Sequence, residues 1–260
     1  MKALILDCDG TLYQDLDFDR VYYEFILRGR TDFTIEDLHV LTEQIVHGQV
    51  LTMNTKVKIP TQPVHTLKEL KEQLAHLETA PLSLQPDPAY TYLGDLWAIV
   101  SLIAKCIGVS SEISSQAFYH TRAWQEERLV KHERLNEAIA NCTQHMTTCL
   151  LTNSPEDTAR PFIEKLGLSN LFSMIVTDAH KPYGLKQAIH QYHPQLLETM
   201  SEITIIGDHF FNDLFQFQNE GASTVWMNPY PLIHKPMVNQ ELHTLDELAD
   251  FIDALTMESK

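Results

Sequence analysis

Two carboxylates, Asp7 and Asp9, stand two positions apart in the stretch LILDCDGTLY, residues 4–13, between an apolar run and a Gly-Thr turn. Such a pair serves acid–base chemistry when it projects from the end of a strand, yet the same residue types also cluster in ordinary polar turns. Three more groups bear on the choice. Thr152, Asn153 and Ser154 close the run TCLLT; Lys181 and Pro182 come shortly after SMIVT, past Asp178; Gly207, Asp208 and, further on, Asp213 follow ITIIG. Carboxylates, a hydroxyl and one lysine thus arrive in order at the ends of successive apolar runs. Each alone is a weak signal and the ordered set is a strong one.

The elements that would carry these residues are legible. The runs at 3–7, 148–152, 173–177, 203–207 and 223–227 are apolar throughout, the pattern of strands covered on both faces in a parallel sheet. Helical patterns separate the last four. Ser154, Pro155, Glu156 and Asp157 read as N-cap, N1 proline and acidic first turn of a helix stopping near Gly167. Helices are also expected over 183–192 and 210–220. The last one opens on Thr244 to Glu247, a capping box. Strand–helix alternation therefore runs from about 147 to 256, with the first strand far upstream. Residues 14–133 show no convincing buried strand. Thr34 before Leu38, Leu41 and Ile45, and Thr66 before Leu70, Leu74 and Leu77, mark helices there. The division is a core at 1–13 and 134–260 with a helical insertion at 14–133. In an open parallel sheet the ligand lies beyond the carboxyl ends of the strands, where these residues collect.

At 260 residues, 44% hydrophobic and 21% charged, the chain has the composition of an ordinary soluble globular protein. Its net charge of −16 argues against a nucleic-acid partner, since no basic run is present to neutralise a phosphate backbone. A small anionic substrate would have to be recruited against that field, and a bound cation would solve the problem. The four cysteines are scattered without a CxxC pair, as expected for reduced thiols in a cytoplasmic protein. No signal peptide is expected, and LWAIVSLIAKCIGV (96–109) reads as a buried helix, too short to span a membrane.

DCDGTLY, LLTNS, the KP at 181–182 and GDHFFND at 207–213 together resemble the four motifs of the haloacid-dehalogenase-like hydrolase superfamily of phosphatases and related phosphotransferases. The likeness covers residues 1–13 and roughly 134–256. It implies an α/β fold, a Rossmann-like parallel sheet in a three-layer αβα core, with a mainly helical cap domain inserted after the first motif. By this resemblance Asp7 is the nucleophile that forms an aspartyl-phosphate, and Asp9 is the general acid, then the base for water. Magnesium is the implied cofactor, held by the side chains of Asp7 and Asp208 and by the backbone carbonyl of Asp9. Asp213 would orient a ligand or water just outside the ion's own ligands. Thr152 and the amide of Asn153 would hold phosphoryl oxygens while Lys181 offsets developing charge. Cys8 is expected to pack.

The resemblance implies a magnesium-dependent phosphatase of a small phosphorylated metabolite, a sugar phosphate or nucleotide, with no nucleic-acid or membrane partner. A phosphomutase or phosphotransferase would use the same groups, and a non-catalytic interaction protein on the same fold is the alternative from another class. The superfamily's haloalkanoate dehalogenases lack the acid that Asp9 provides and need no metal, which favours phosphate chemistry here. The likeness thins in the insertion, which is long for a helical cap. There the arginines of LRGR (27–30), Arg122 and, at its end, Arg128 are candidate phosphate or carboxylate contacts but are expected as solvated charges, and Tyr22, Tyr23 and Phe25 are expected as core rather than a base-stacking platform. It thins again in LFQFQNEGA after Asp213, where relatives carry smaller residues.

Overall fold

The computed structural model describes residues 2–14, 17–230 and 235–258. After β1 (Ala3–Leu6) comes an insertion comprising α1 (Asp19–Ile26), α2 (Ile35–Val46), β2 (Lys56–Lys58), α3 (Leu67–Ala75), β3 (Thr79–Ala80), β4 (Tyr90–Tyr92), α4 (Leu96–Cys106) and α5 (Ser111–Arg128). The chain continues through α6 (Glu133–Cys142), β5 (Thr147–Leu151), α7 (Glu156–Lys165), β6 (Met174–Val176), α8 (Leu185–Tyr192), β7 (Ile203–Gly207), β8 (Ser223–Met227), β9 (Gln240–Leu242) and α9 (Leu245–Met257). It divides into two compact units. The first holds Met1–Gln14, Arg128–Pro229 and Met237–Lys260; the second holds Asp15–Glu127 and Tyr230–Pro236.

In the first unit six strands run in the order β6-β5-β1-β7-β8-β9, every pairing parallel. β1 lies between β5 and β7, with Leu6 beside Leu150 on one side and Ile206 on the other. The inner strands are largely apolar because both faces are covered. Leu4, Leu6, Leu150, Ile206 and Val225 join a core with Ile139 of α6, Phe162 of α7 and Ile252 of α9. On the opposite face Ile5 and Ile205 line a small space with Leu185 of α8. This is an α/β, Rossmann-like arrangement. Truncating Leu6, which is fully buried, to alanine would cost about 2–5 kcal/mol through lost burial and the cavity left behind. Cys8 packs in this core, and all four cysteines are free and buried.

Two expected helices differ in an instructive way. The N-cap of α7 is Pro155, not Ser154, because the Ser154 hydroxyl is taken by Asp9 at 2.7 Å. Asp178 caps the helix instead, its Oδ2 accepting from the Glu156 amide at 3.1 Å. The helix expected over 210–220 is a single π-helical turn, Phe210–Leu214, closed by Phe215 N donating to Phe210 O at 2.8 Å. A wide turn there folds Asp213 back onto its own strand end, where Asp213 Oδ2 accepts from His209 N at 3.0 Å. The capping box at Thr244 forms as read, with Glu247 as its partner.

The second unit has its own core of Tyr22, Tyr23, Leu38, Leu41, Ile45, Val57, Ile99 and Ile103. Thr34 caps α2, and Thr66 with Glu69 forms a capping box on α3. The insertion is not free of strands. A three-stranded antiparallel sheet, β3-β2-β4, lies within it, built from segments of two or three residues that are too short to carry a period. Arg122, expected on the surface, is 2% exposed, and Thr121 and Gln125 on the same helix are buried with it. Among the described residues no helix is long and apolar enough to cross a membrane.

Candidate active site

Asp7 follows β1 directly, and its amide continues the ladder by donating to Ile206 O at 2.9 Å. Thr152 follows β5 and Asp208 follows β7, so the sheet delivers these residues to the carboxyl edge of three adjacent strands. The carboxylates of Asp7, Asp208 and Asp213 each place an oxygen within 4.8 Å of the others. Asp7 and Asp213 are buried and Asp208 is partly exposed.

Lys181 ties two of these acids together. Its ammonium donates to Asp7 Oδ1 at 2.5 Å and to Asp213 Oδ1 at 2.6 Å, all three side chains being buried. Asn153 fixes the lysine's backbone: Asn153 Oδ1 accepts from Lys181 N at 2.6 Å and Asn153 Nδ2 donates to Lys181 O at 3.0 Å. Two glycines make room. A Cβ on Gly207 would lie 2.3 Å from Asp213 Oδ2, and one on Gly10 would lie 2.1 Å from Asp208 Oδ2. The Trp226 indole steadies the same loop by donating to the Asp208 carbonyl at 2.6 Å.

Asp9 faces a different set of partners. Tyr13 donates to its Oδ1 at 2.5 Å, while Thr152 and Ser154 donate to its Oδ2 at 3.1 and 2.7 Å. The hydroxyl of Thr152, expected on a phosphoryl oxygen, is thus engaged with Asp9 and also accepts from the Ser154 amide at 3.0 Å. The carboxylate of Asp213, expected just outside the ion's ligands, lies in the same cluster as Asp7 and Asp208. Sequence reasoning gives Tyr13 no role and reads Ser154 as a helix N-cap. Their signal is present in the polar residues of GTLY and LLTNS, but either looks like turn chemistry.

Burial pushes Asp7 up to about 8; Lys181 pulls the other way, and Asp213 and Asp9 add to the rise. Burial also opposes the Lys181 charge, but Asp213 and Asp7 outweigh it and hold the ammonium above the usual lysine value. The cluster therefore carries more negative charge than one lysine can balance. Hard carboxylate oxygens in surplus, one of them reaching solvent, are a donor set that suits a small divalent cation such as magnesium.

No family model matches the chain and no curated protein does. Solved structures do. The structure of a Bacillus subtilis protein described as the HAD-hydrolase YfnB, bound to magnesium, is 17% identical, with a TM-score of 0.57 over 97% of this chain and 98% of that one. One from Thermotoga maritima described as a beta-phosphoglucomutase is 13% identical, with a TM-score of 0.53 over 100% of both chains. A haloacid dehalogenase-like family hydrolase from Xanthomonas campestris is 15% identical, with a TM-score of 0.50 over 100% of this chain and 95% of that one. At such identities the likeness is one of fold, and the fold of this chain is that of the haloacid-dehalogenase-like hydrolases.

Proposed function

We propose that the chain is a magnesium-dependent phosphatase acting on a small phosphorylated metabolite, of the sugar phosphate or nucleotide class, through an aspartyl-phosphate on Asp7. The observation that carries this reading is the cluster itself: three carboxylates with oxygens within 4.8 Å, bridged by one buried lysine. Asp7, Asp208 and Asp213, with the backbone carbonyl of Asp9, would hold magnesium, which when bound supplies positive charge against the phosphate and the acids.

In this reading Lys181 orients Asp7 through Oδ1 for attack on phosphorus. The bond to the leaving oxygen breaks as Asp9 gives that oxygen a proton. Asp9 then takes a proton from water as the water attacks the aspartyl-phosphate, which restores Asp7 and releases inorganic phosphate. Thr152 and the backbone N–H of Asn153 would hold phosphoryl oxygens, the Thr152 hydroxyl turning from Asp9 to do so. The presence of Asp9 supports phosphoryl transfer over carbon–halogen cleavage, since an alkoxide leaving group needs a proton and a halide does not. The reading includes a cytoplasmic location, supported by four free, buried thiols.

The test is hydrolysis of an aryl phosphate and of a panel of phosphorylated metabolites, with and without magnesium, beside Asp7→Asn. Turnover that needs both the metal and Asp7 supports the reading. Turnover indifferent to either, or none on any substrate, overturns it, and phosphate delivered to a sugar hydroxyl in preference to water would make the chain a transferase.

A further inference from the structure

The small sheet of the insertion carries a charge that no acid among the described residues balances. Its central strand alternates: Val57 is fully buried in the insertion's core, so Lys56 and Lys58 belong to the opposite face. Lys58 is exposed and pairs with Glu78 at 2.8 Å. Lys56 is only 8% exposed, yet no Asp or Glu among the described residues pairs with it. Its ammonium lies 5.5 Å from the centroid of the Tyr90 ring, and Tyr92 stands directly across from it in register. The acids nearby in sequence or register are committed elsewhere. Glu78 accepts from both Lys58 and the Tyr90 hydroxyl, the latter at 2.7 Å, and Asp87 accepts from the Ala89 amide at 3.0 Å.

A second donor accompanies the lysine. Tyr92 donates to Asn54 Oδ1 at 3.1 Å, which ties the Asn54 amide to the same face. The other half of that amide, Nδ2, is buried without a hydrogen-bond partner. Asn54 holds φ +60, a left-handed conformation that fixes where its side chain leaves the backbone. A lysine buried over most of its surface, with no acidic partner among the described residues, and a buried N–H group without an acceptor are each unfavourable alone, and an aromatic ring offsets only part of the lysine's cost. The ligand that satisfies both is an oxyanion.

We infer that the insertion contains an oxyanion-binding site formed by Lys56 and Asn54 on the Tyr90–Tyr92 face of its small sheet, taking a carboxylate or phosphate group of a small molecule. The group belongs either to the substrate or to a separate metabolite, and both present the same oxygens to the same donors. The site is independent of the chemistry proposed for Asp7; only the assignment of the oxyanion to the substrate rests on that reading.

The test titrates the full chain, free of magnesium, with inorganic phosphate and with acetate by calorimetry. Without the metal, the Asp7–Asp208–Asp213 cluster repels anions and does not compete. Wild type is expected to bind at least one of the two probes. Lys56→Met keeps most of the stem and should weaken binding about tenfold or more, while Lys56→Arg should stay within about threefold. Asn54→Gly keeps the left-handed backbone and removes the amide, and should weaken binding about threefold to tenfold. Failure of the wild type to bind either probe, or equal affinity in Lys56→Met, overturns the site.

Kinetics then locate the oxyanion. A KM that rises in Lys56→Met for a phosphate ester bearing a carboxylate, and less for an uncharged one, places it on the substrate. Equal changes in both KM values, with anion binding lost, place it on a separate molecule. A chain that binds the probes through Lys56 but hydrolyses no phosphate ester would sink the phosphatase reading and leave this site standing.

Discussion

Gly10 and Asp208 lay claim to one volume: a Cβ at position 10 would stand 2.1 Å from Asp208 Oδ2 and 2.5 Å from its Cγ. Gly10 also holds φ +70, where an L residue costs about 1–2 kcal/mol. Gly10→Ala therefore combines backbone strain with displacement of a proposed metal ligand. Gly29 separates the two effects, since it has φ +76 and a Cβ there would meet nothing within 4 Å. Both variants should lose about 1–2 kcal/mol to strain, but only Gly10→Ala should also lose magnesium affinity, by about tenfold or more. Calorimetric titration with magnesium and thermal melts of both variants make the comparison, and equal metal affinity would refute the placement of Asp208.

The Lys181 ammonium sits between two buried acids, so removing it leaves them facing each other uncompensated. Lys181→Met should lower the stability of the metal-free chain by about 3–5 kcal/mol. Magnesium should return part of that loss by supplying charge in the ammonium's place. Urea denaturation with and without the metal measures both. A variant as stable as wild type in the absence of metal would show that the acids are not held together in solution.

Asp7 gives a pH dependence whose sign is fixed. Burial raises it from an ordinary value of 3.8 to about 8 in the folded chain. The folded state thus keeps a proton that the unfolded chain releases, so the contribution is whole below about pH 4 and is lost as pH rises through about 8. The melting temperature of the metal-free chain should fall over that interval, and fall less in Asp7→Asn. Magnesium displaces the proton, so the rise in melting temperature on adding it should be larger at high pH than at low. Melts at several pH values, with and without magnesium, show the trend; a wild type and an Asp7→Asn variant with parallel profiles would exclude Asp7 as its source.

Tyr13 holds Asp9 Oδ1 at 2.5 Å, which makes it a positioning residue for the proposed general acid. Tyr13→Phe keeps the ring against Phe162 and deletes only the hydroxyl. The rate should fall about tenfold on an alkyl phosphate, whose leaving oxygen needs a proton, and by much less on a nitrophenyl phosphate, whose leaving oxygen does not. Equal losses on both substrates would mean that the tyrosine acts through the fold alone.

The parts of this site that are legible in the sequence are those fixed by residue type at a strand end. Asp7, Asp9, Lys181 and Asp208 each come after an apolar run; β1 and β7 are neighbours in the sheet, and β6, ahead of Lys181, is separated from β1 by β5. What stays hidden depends on backbone geometry that composition does not encode. Asp213 enters the carboxylate cluster because a π-helical turn closes where an α-helix is expected. β9, at Gln240–Leu242, has three residues and no apolar run, and it pairs with β8 only because the chain returns beside it. The insertion's sheet escapes notice for the same reason, and Arg122 is buried with Thr121 and Gln125 on a helix stretch whose residue types read as solvated.

At Asn153 a side chain imitates a peptide group. Its amide offers Lys181 one acceptor and one donor, the same pair that a neighbouring strand would present to an extended residue. Lys181 is thereby joined to the sheet without being part of it, and the rung does not depend on the identity of the residues leading to it. The segment between β6 and α8 is pinned to the same loop at other points too, Asp178 N donating to Ser154 O at 3.1 Å and Ala179 N to Thr152 O at 3.0 Å. Position 153 itself inherits the constraint: aspartate would keep the acceptor and lose the donor, and leucine would lose both. In a lineage of such proteins, variation should be cheap at the exposed Tyr183 and costly at the asparagine one loop away.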